Sequence, residues 1–487
     1  MNQNRVRYLI ENFAATPEEL SLLRPEGCSD TSFYIQLLQL RGRRSEEALY
    51  RRSIREECGK TESDIQKELA FIQSTDPSIE ISLESYYKYG AYTLDVLNEK
   101  DALAQWGDKL SRYLYLRDYI TQKFEIEGMS FSVFEKELEE ARVLLLDLLS
   151  HGRKKELIEA IKDIRPDLSE NTAAFHSIAV DMELSVSVLG FEPEEYAAYH
   201  FFEKSMPERL EYVSDRLRKK VGKLLNSEEG FDVLNNKYLT YQELKPLFGR
   251  RIRQMNADGG YPAFAKAFRE NSVLVKKNNF QSLGREIEKI EVTENTDLHA
   301  LYERIAQTGK CFILEDLIRP HPEFKRLNPD SVNTVRIVTF REQKDVVVLD
   351  AVLRTGRSGS FVDNAGSGGI FIHIDPAKGI TDSHGIDKRG IVYESHPDHA
   401  YRFSGICLPF WEGALETAKS AARTSPGVRY AGWDFACTEE NRWILVEGNG
   451  MPMYNVHQAT LGVGKRKELL RSIHYEELIR SKQTLCL

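Results

Sequence analysis

The stretch WILVEGNG, residues 443–450, runs an apolar segment straight into Glu447 and Asn449, with one glycine between them. Residues two apart on a strand point to the same side. The two side chains therefore offer oxygen to one place, which is what a hard cation such as Mg²⁺ requires. Upstream, YAGWDFACT sets another carboxylate, Asp434, inside a second apolar run. An inward carboxylate in a strand is costly unless it is paired or bound to metal. The short TEEN between the two runs predicts a hairpin. That hairpin brings Asp434 beside Glu447 and Asn449 and makes an oxygen cluster able to hold one or two Mg²⁺ ions. For WILVEGNG alone, a strand stopping at a polar turn is the plainer reading, and for YAGWDFACT alone, an Asp434 facing solvent is an equal one.

Oxygen clusters of this kind serve phosphoryl chemistry, which also needs cations aimed at phosphate. SVLVKK ends a strand on Lys276 and Lys277, and Lys237 lies earlier in NNKYLTYQELK. Arg336 interrupts NTVRIVTF, and Arg354 comes near the end of DVVVLDAVLRT. A strand-end Lys or Arg is more often solvated than functional. Arg336 differs, because apolar residues flank it on both sides. A guanidinium buried there needs an anion, and bidentate phosphate or carboxylate suits it. SGSFVDNAGSGG, residues 358–369, is the one glycine-rich stretch. Lying between strands and containing Asn364, it reads as a substrate loop rather than a linker. Glu315 closes the apolar part of KCFILEDLI. His384, His396 and His399 in residues 382–400 lack a firm ligand spacing, so that insert reads as a surface or acceptor-binding loop rather than a metal site.

The elements that must position these groups follow from periodicity. Apolar residues recur at three- and four-residue steps through residues 1 to about 185, clearest over 130–164, which predicts a largely helical N-terminal domain. Beyond about 190 the pattern turns to strands at 272–277, 310–318, 333–340, 345–355, 368–375, 430–438 and 442–449. Helices are predicted at 295–309, closed by Gly309, and at 411–424, and a basic amphipathic helix at 464–484. REQK between the third and fourth strands predicts another hairpin. The fold class expected is α+β, with mixed, partly antiparallel sheet rather than alternating doubly wound units.

Composition is ordinary for a globular protein. The 487 residues carry 66 basic and 75 acidic groups, a formal charge of −9. That gives no electrostatic footprint for nucleic acid. Local basic runs such as Arg250, Arg251 and Arg253 read as solvated faces. The six cysteines are scattered without a C-x-x-C pair, which fits a reducing compartment. No signal-peptide core opens the sequence and no run of eighteen apolar residues occurs. The expectation is a cytoplasmic protein without membrane insertion.

Taken in order, Lys, Lys, Glu, Arg, Arg, Asn with Gly-Gly, Asp and Glu-x-Asn resembles the ATP-grasp ligases. NTVRIVTF, VLRTGRSGSFVDNAGSGG, GWDFA and ILVEGN are similar to the corresponding run of their amide-forming members, and most of all to the sugar-transfer-associated ATP-grasp group of bacterial polysaccharide clusters. The resemblance covers about residues 190–460. It implies an ATP-grasp domain over 186–487, with a small nucleotide-clamping lobe at about 230–315 and a large lobe at about 316–487. It also implies roles for single residues. Lys237 and Lys276 would contact ATP phosphates, with Lys277 the alternative to Lys276. Glu315 would lie at the hinge holding adenine and ribose, with backbone near Leu317 reading the base. Arg336 and Arg354 would stabilise the transferred phosphoryl group, Asn364 would position phosphate or substrate, and Asp434, Glu447 and Asn449 would hold Mg²⁺. One departure stands out: the lysines are followed by KKNNFQSLGRE, with only Gly284, which implies either fewer backbone contacts to phosphate or their replacement by side chains of Asn278, Asn279, Ser282 and Arg285.

The activity this implies is an ADP-forming carboxylate–amine ligation through an acyl phosphate, with small-molecule carboxylate and amine substrates of the sugar-acid or amino-acid type. A kinase on the same fold would use the same groups with a hydroxyl acceptor. A non-enzymatic scaffold fits the clustered carboxylates poorly, since they repel unless a cation sits among them. No covalent nucleophile is needed, so Cys311, Cys407 and Cys437 read as packing residues.

Overall fold

The computed structural model describes residues 131–149 and 155–475, apart from 171, 256–259, 281–286, 307–310, 343–344 and 426, together with scattered positions between 113 and 121. Gly284, Ser282, Arg285 and Gly309 fall outside the described residues, as does nearly all of the predicted helical region before residue 131. The chain divides into two compact units, one of residues 1–197, 201–207 and 479–487, the other of 198–200 and 208–478.

In the first unit the described residues form helices α1 (Glu135–Leu149), α2 (Lys155–Ile164) and α3 (Ala173–Ser187). Thr172 caps α3, its hydroxyl accepting from the Phe175 amide, which satisfies one of the orphan donors of the first turn.

The second unit is built on two sheets. Helix α4 (Lys237–Phe248) leads into β1 (Ile252–Met255), α5 (Tyr261–Glu270), β2 (Val273–Asn278), β3 (Glu288–Glu291), α6 (Leu298–Ala306) and β4 (Phe312–Asp316). The four strands form an antiparallel sheet in the order β1-β4-β2-β3. Leu274, Ile290, Phe312 and Leu314 from one face pack on Phe264, Phe268, Tyr302 and Ile305 of α5 and α6.

Strands β5 (Val335–Glu342), β6 (Asp345–Thr355), β7 (Ile370–Asp375), β8 (Ile380–Ile386), β9 (Val392–Tyr393), β10 (Tyr430–Cys437) and β11 (Trp443–Asn449) form the larger sheet, ordered β11-β10-β5-β6-β7-β8-β9. Every pairing in it is antiparallel. Alternation along the strands sorts its two faces. Val335, Ile337, Ala351, Leu353, Trp433, Phe435 and Leu445 face one core with the small residues Ala414, Ala418 and Ala421 of α7 (Trp411–Thr424) and with Leu244 and Phe248 of α4. Full burial of each large apolar side chain there stabilises by roughly 1.5–3 kcal/mol. Their neighbours in sequence, Arg336, Arg354 and Asp434, fall on the opposite face. Helix α8 (Asn455–Leu461) packs on that face against β6, β7 and β8.

All seven strands expected from the sequence are present, and so are the two hairpins. Four others were not expected. β1 and β3 are short and carry charge, while β8 runs into the start of the stretch read as an insert loop. Its polar residues are satisfied by the fold itself: Thr381 Oγ1 donates to Phe403 O at 2.6 Å, and Ser383 Oγ accepts from the His373 amide at 2.9 Å. Of the predicted terminal helix, residues Arg466–Ser472 are helical, and 476–487 lie outside the described residues.

Candidate functional site

The β10–β11 hairpin sets Asp434 directly opposite Glu447 and Gly432 opposite Asn449. Gly448, between the two oxygen-bearing residues, lies over Trp433. A Cβ there would come within 2.8 Å of both Leu234 Cδ2 and Trp433 Cζ3. Glycine is thus the residue that lets strand β11 lie this close to its neighbours while turning Glu447 and Asn449 to one side.

Asp434 is 2 % exposed. Its Oδ1 accepts from Arg336 Nε at 2.7 Å, and its Oδ2 accepts from Arg336 Nη2 at 2.8 Å and Arg354 Nη1 at 2.6 Å. Burial works against its charge, but Arg336 and Arg354 outweigh burial and hold the carboxyl down at about 2. Arg354 also lies 3.4 Å from Asp363 Oδ1. Burial lowers the Arg354 pKa, yet Asp363, Asp434 and Glu447 together raise it above the ordinary value. Asp363 in turn accepts from the Thr334 amide at 2.7 Å and hydroxyl at 2.6 Å. The two arginines expected beside a phosphoryl group therefore converge on one buried aspartate.

Glu447 is more open, its side chain 35 % exposed and 3.9 Å from Lys237 Nζ. Asn449 Oδ1 accepts from the Met451 amide at 2.8 Å. A carboxylate has about four lone-pair sites, and the guanidinium bonds use three on Asp434. The oxygens of Glu447, the last site on Asp434 and the second lone pair of the Asn449 carbonyl remain as hard donors. That set fits Mg²⁺, which takes one or two carboxylates and otherwise water and phosphate. Among the described residues no three His, Cys, Asp or Glu side chains form a metal site. His396 of the histidine insert instead lies 2.9 Å from Gly356 O, and His399 lies 3.1 Å from Ser358 Oγ.

A cleft of about 210 Å³ opens over this face, lined by Lys277, Glu315, Arg336, Arg354, Asn364, Asp434, Glu447 and Asn449 among others. Asn364 contributes from the glycine-rich loop, where its Oδ1 accepts from the Ser367 amide at 2.9 Å. Leu317 lies between Asp316 and Ile318, both of which line the cleft. Lys276 is not among the lining residues. It alternates with Val275 and Lys277 along β2, and it shares the side of Leu274, which is packed into the core beneath α5 and α6. The period-two alternation thus makes Lys277 the cleft lysine, against the sequence preference for Lys276.

Glu315 accepts from Arg250 Nε at 3.1 Å, Arg250 Nη2 at 2.8 Å and Lys277 Nζ at 3.1 Å, all at Oε2. Burial pushes its carboxyl up, but Lys277 and Arg250 outweigh burial and hold it below the ordinary range. Arg250, read from the sequence as part of a solvated face, has a side chain only 4 % exposed, with Nη1 donating to Leu445 O at 2.6 Å. Nothing in RRIR distinguishes it from Arg251, which is exposed. Asp363 was also missed, although it sits beside Asn364 in VDN.

Asn279 does not serve as a phosphate donor in place of a glycine loop. It is fully buried. Its Nδ2 donates to Asn236 Oδ1 at 3.0 Å, its Oδ1 accepts from the Tyr238 amide at 2.9 Å, and its backbone O accepts from the Lys237 amide at 3.1 Å. Asn236 caps α4 through the Leu239 amide. This ties the start of α4, and with it Lys237, to the end of β2.

Residues 263–474 match the sugar-transfer associated ATP-grasp family. The match bears out the resemblance in the sequence and the ATP-grasp fold over that segment, and Lys237 lies before it. No curated protein matches the chain. Among solved structures, similarity is found to the ATP-grasp ligase PsnB complexed with minimal precursor, with 13% identity, a TM-score of 0.33, and coverage of 52% of this chain and 63% of that one. The ADP complex of the N5-carboxyaminoimidazole ribonucleotide synthetase purK gives 13% identity, a TM-score of 0.30, and coverage of 50% and 53%. The D-alanine–D-alanine ligase from Bacillus anthracis gives 11% identity, a TM-score of 0.34, and coverage of 53% and 71%. The chain thus spans less than two thirds of the length of the first two.

Proposed function

We propose that this protein is an ATP-dependent, ADP-forming carboxylate–amine ligase that uses Mg²⁺. The observation that carries the reading is the convergence of Arg336, Arg354, Asp434 and Glu447 at one cleft, within a segment that matches an ATP-grasp family. A carboxylate resists amines because its oxygen is a poor leaving group. In the first step the substrate carboxylate oxygen attacks the γ-phosphorus, the bond from that phosphorus to the β–γ bridging oxygen breaks, and ADP departs. In the second an amine nitrogen attacks the acyl carbon, the carbon–oxygen bond to phosphate breaks, phosphate leaves, and the nitrogen loses a proton to solvent.

Mg²⁺, when bound, supplies charge neutralisation and a template for the phosphates. Glu447, Asn449 and Asp434 are the residues that hold it. Arg336 and Arg354 offer fixed positive charge to the phosphoryl group in transit, already oriented by Asp434 and so needing little rearrangement. Lys277 and Lys237 bind phosphate oxygens, Glu315 and the backbone at Leu317 receive the nucleoside, and Asn364 positions phosphate or substrate. Phosphoryl transfer asks for little more than such positioning and charge. The acceptor is a sugar acid or an amino-acid-type carboxylate of surface polysaccharide or related biosynthesis. ATP supply assigns the reaction to the cytoplasm, and residues 1–185 are read as a separate helical domain. Among the described residues no helix is long and apolar enough to cross a membrane.

The test is release of ADP and inorganic phosphate by purified protein with MgATP and pools of carboxylates and amines. Release that needs both pools and is lost in a Glu447→Gln, Asn449→Ala double variant supports the ligase. ADP without free phosphate, in the presence of a hydroxyl acceptor, would establish a kinase instead.

A further inference from the structure

Arg354 does not stand alone on its face of the sheet. Its amide donates to Thr334 O at 2.8 Å, it sits opposite Phe371 across the β6–β7 ladder, and Phe371 sits opposite Ile386 across the β7–β8 ladder. All four line the cleft. This row crosses the sheet from charge to hydrocarbon in a single step. On one side lie Thr334, Arg354 and the Asp434 group. On the other, Phe371 and Ile386 form an apolar floor that ends two strand spacings, roughly 10 Å, from Arg354. Val456 and Ala459 of α8 line the same cleft from the helix packed over β6, β7 and β8, and Phe361 adds an aromatic wall from the glycine-rich loop. Asp387 follows Ile386 at the far end, but its carboxylate is already taken. It accepts from the Arg389 amide at 2.9 Å, the Ile391 amide at 3.1 Å and Tyr393 Oη at 3.2 Å.

The geometry points to an acceptor carboxylate that carries an aliphatic or aromatic body, the amino-acid class rather than a polyhydroxylated sugar acid. This rests on the ligase reading and narrows it. A carboxylate held at Arg354 for attack on phosphorus must lay its remaining atoms along the row, because the nucleotide side of the cleft belongs to Lys277 and Glu315. On that row an apolar side chain finds matching surface. A sugar hydroxyl laid over Phe371 and Ile386, in contrast, would leave water for phenyl and alkyl groups that offer no hydrogen bond, and only a hydroxyl reaching Asn364, Lys388 or Asn455, which also line the cleft, would find a partner. Discrimination of this kind grows with every hydroxyl left unpaired, because the unmet hydrogen bond, not the added volume, sets the penalty.

The experiment uses the full chain with MgATP and a mixed amine pool of ammonia, amino acids and amino sugars. ADP release is compared across two carboxylate sets: leucine, phenylalanine and their N-acetyl forms, against glucuronate, galacturonate and gluconate. The expected result is a kcat/KM at least a hundredfold higher for the apolar set. Val456→Thr, a near-isosteric change at a half-buried position that keeps the fold, should cut that ratio about tenfold while leaving the calorimetric Kd for MgATP unchanged. A preference for the sugar acids would overturn the inference and leave the ligase intact. MgATP binding with no release from either set would also overturn it. Failure to bind MgATP at all would bring down the ligase reading itself.

Discussion

Arg336 and Asp434 stand directly opposite each other across the β5–β10 ladder, and two hydrogen bonds of 2.7 and 2.8 Å join the guanidinium to the carboxylate in a parallel fork. A pair this buried contributes less through its own attraction than through the penalty for breaking it. Replacing Arg336 with Met leaves Asp434 with Arg354 alone. The expected loss is about 3 kcal/mol of folding stability, read from urea denaturation. An unchanged midpoint would show that the pair is not buried as described.

Glu447 behaves differently, because its carboxylate is 35 % exposed and its ion pair with Lys237 is long at 3.9 Å. Glu447→Gln should change stability by less than about 0.5 kcal/mol. It should weaken ATP binding at least tenfold in the presence of Mg²⁺ and hardly at all in its absence. Calorimetric titrations with and without the metal separate these outcomes, and equal loss in both would argue against a metal role.

The alternation along β2 separates two adjacent lysines. Lys277→Met should weaken ATP binding tenfold or more, and Lys276→Met less than twofold. Fluorescent-nucleotide titrations of the two variants decide between them, and the reverse order would return the role to Lys276.

Gly448 is the simplest probe of the opening motif. Val at this position must displace Leu234 or the Trp433 ring, both 2.8 Å from the added Cβ. Overpacking of this sort costs about 1–3 kcal/mol. It should also turn Glu447 away from the cleft, so that metal-dependent nucleotide binding falls together with the thermal midpoint.

Acid should unfold the protein in part through Asp434. Its carboxyl is depressed in the fold from the ordinary 3.8 to about 2. A depressed carboxyl contributes stability that is present above the unfolded value and lost as pH falls through the folded one. About 2 kcal/mol should therefore disappear between roughly pH 4 and pH 2. Urea midpoints across that range measure it, and Asp434→Asn should flatten that part of the curve.

Most of the large sheet was legible because each of its strands carries a continuous or alternating apolar run bounded by turn residues. The hairpin geometry of Asp434, Glu447 and Asn449 was legible for the same reason, with TEEN fixing the turn. What the sequence concealed were contacts between distant segments. Arg250 reads as one basic residue in a run of three, and only the approach of β4 and β11 buries it. Asn279 reads as a polar loop residue, and only the arrival of α4 gives it partners. The strand at 380–386 was hidden because its Thr and Ser side chains imitate a loop until Phe403 O accepts from Thr381 and the His373 amide donates to Ser383. The choice between Lys276 and Lys277 needed the phase of one strand relative to its core, which a two-residue motif does not carry.

The tie between Asn236 and Asn279 has a mechanical consequence. Three hydrogen bonds link the cap and first turn of α4 to Asn279, the residue that follows β2, and no side chain in the tie is long enough to stretch. Any swing of the small sheet therefore drags the start of α4 with it, like a lever whose handle is riveted to its blade. Lys237 and Lys277 ride on the two halves of that rivet. In the proposed ligase they would meet an incoming nucleotide as a pair moving in step, and cutting the rivet with Asn279→Ala would leave both lysines in place but free to arrive separately.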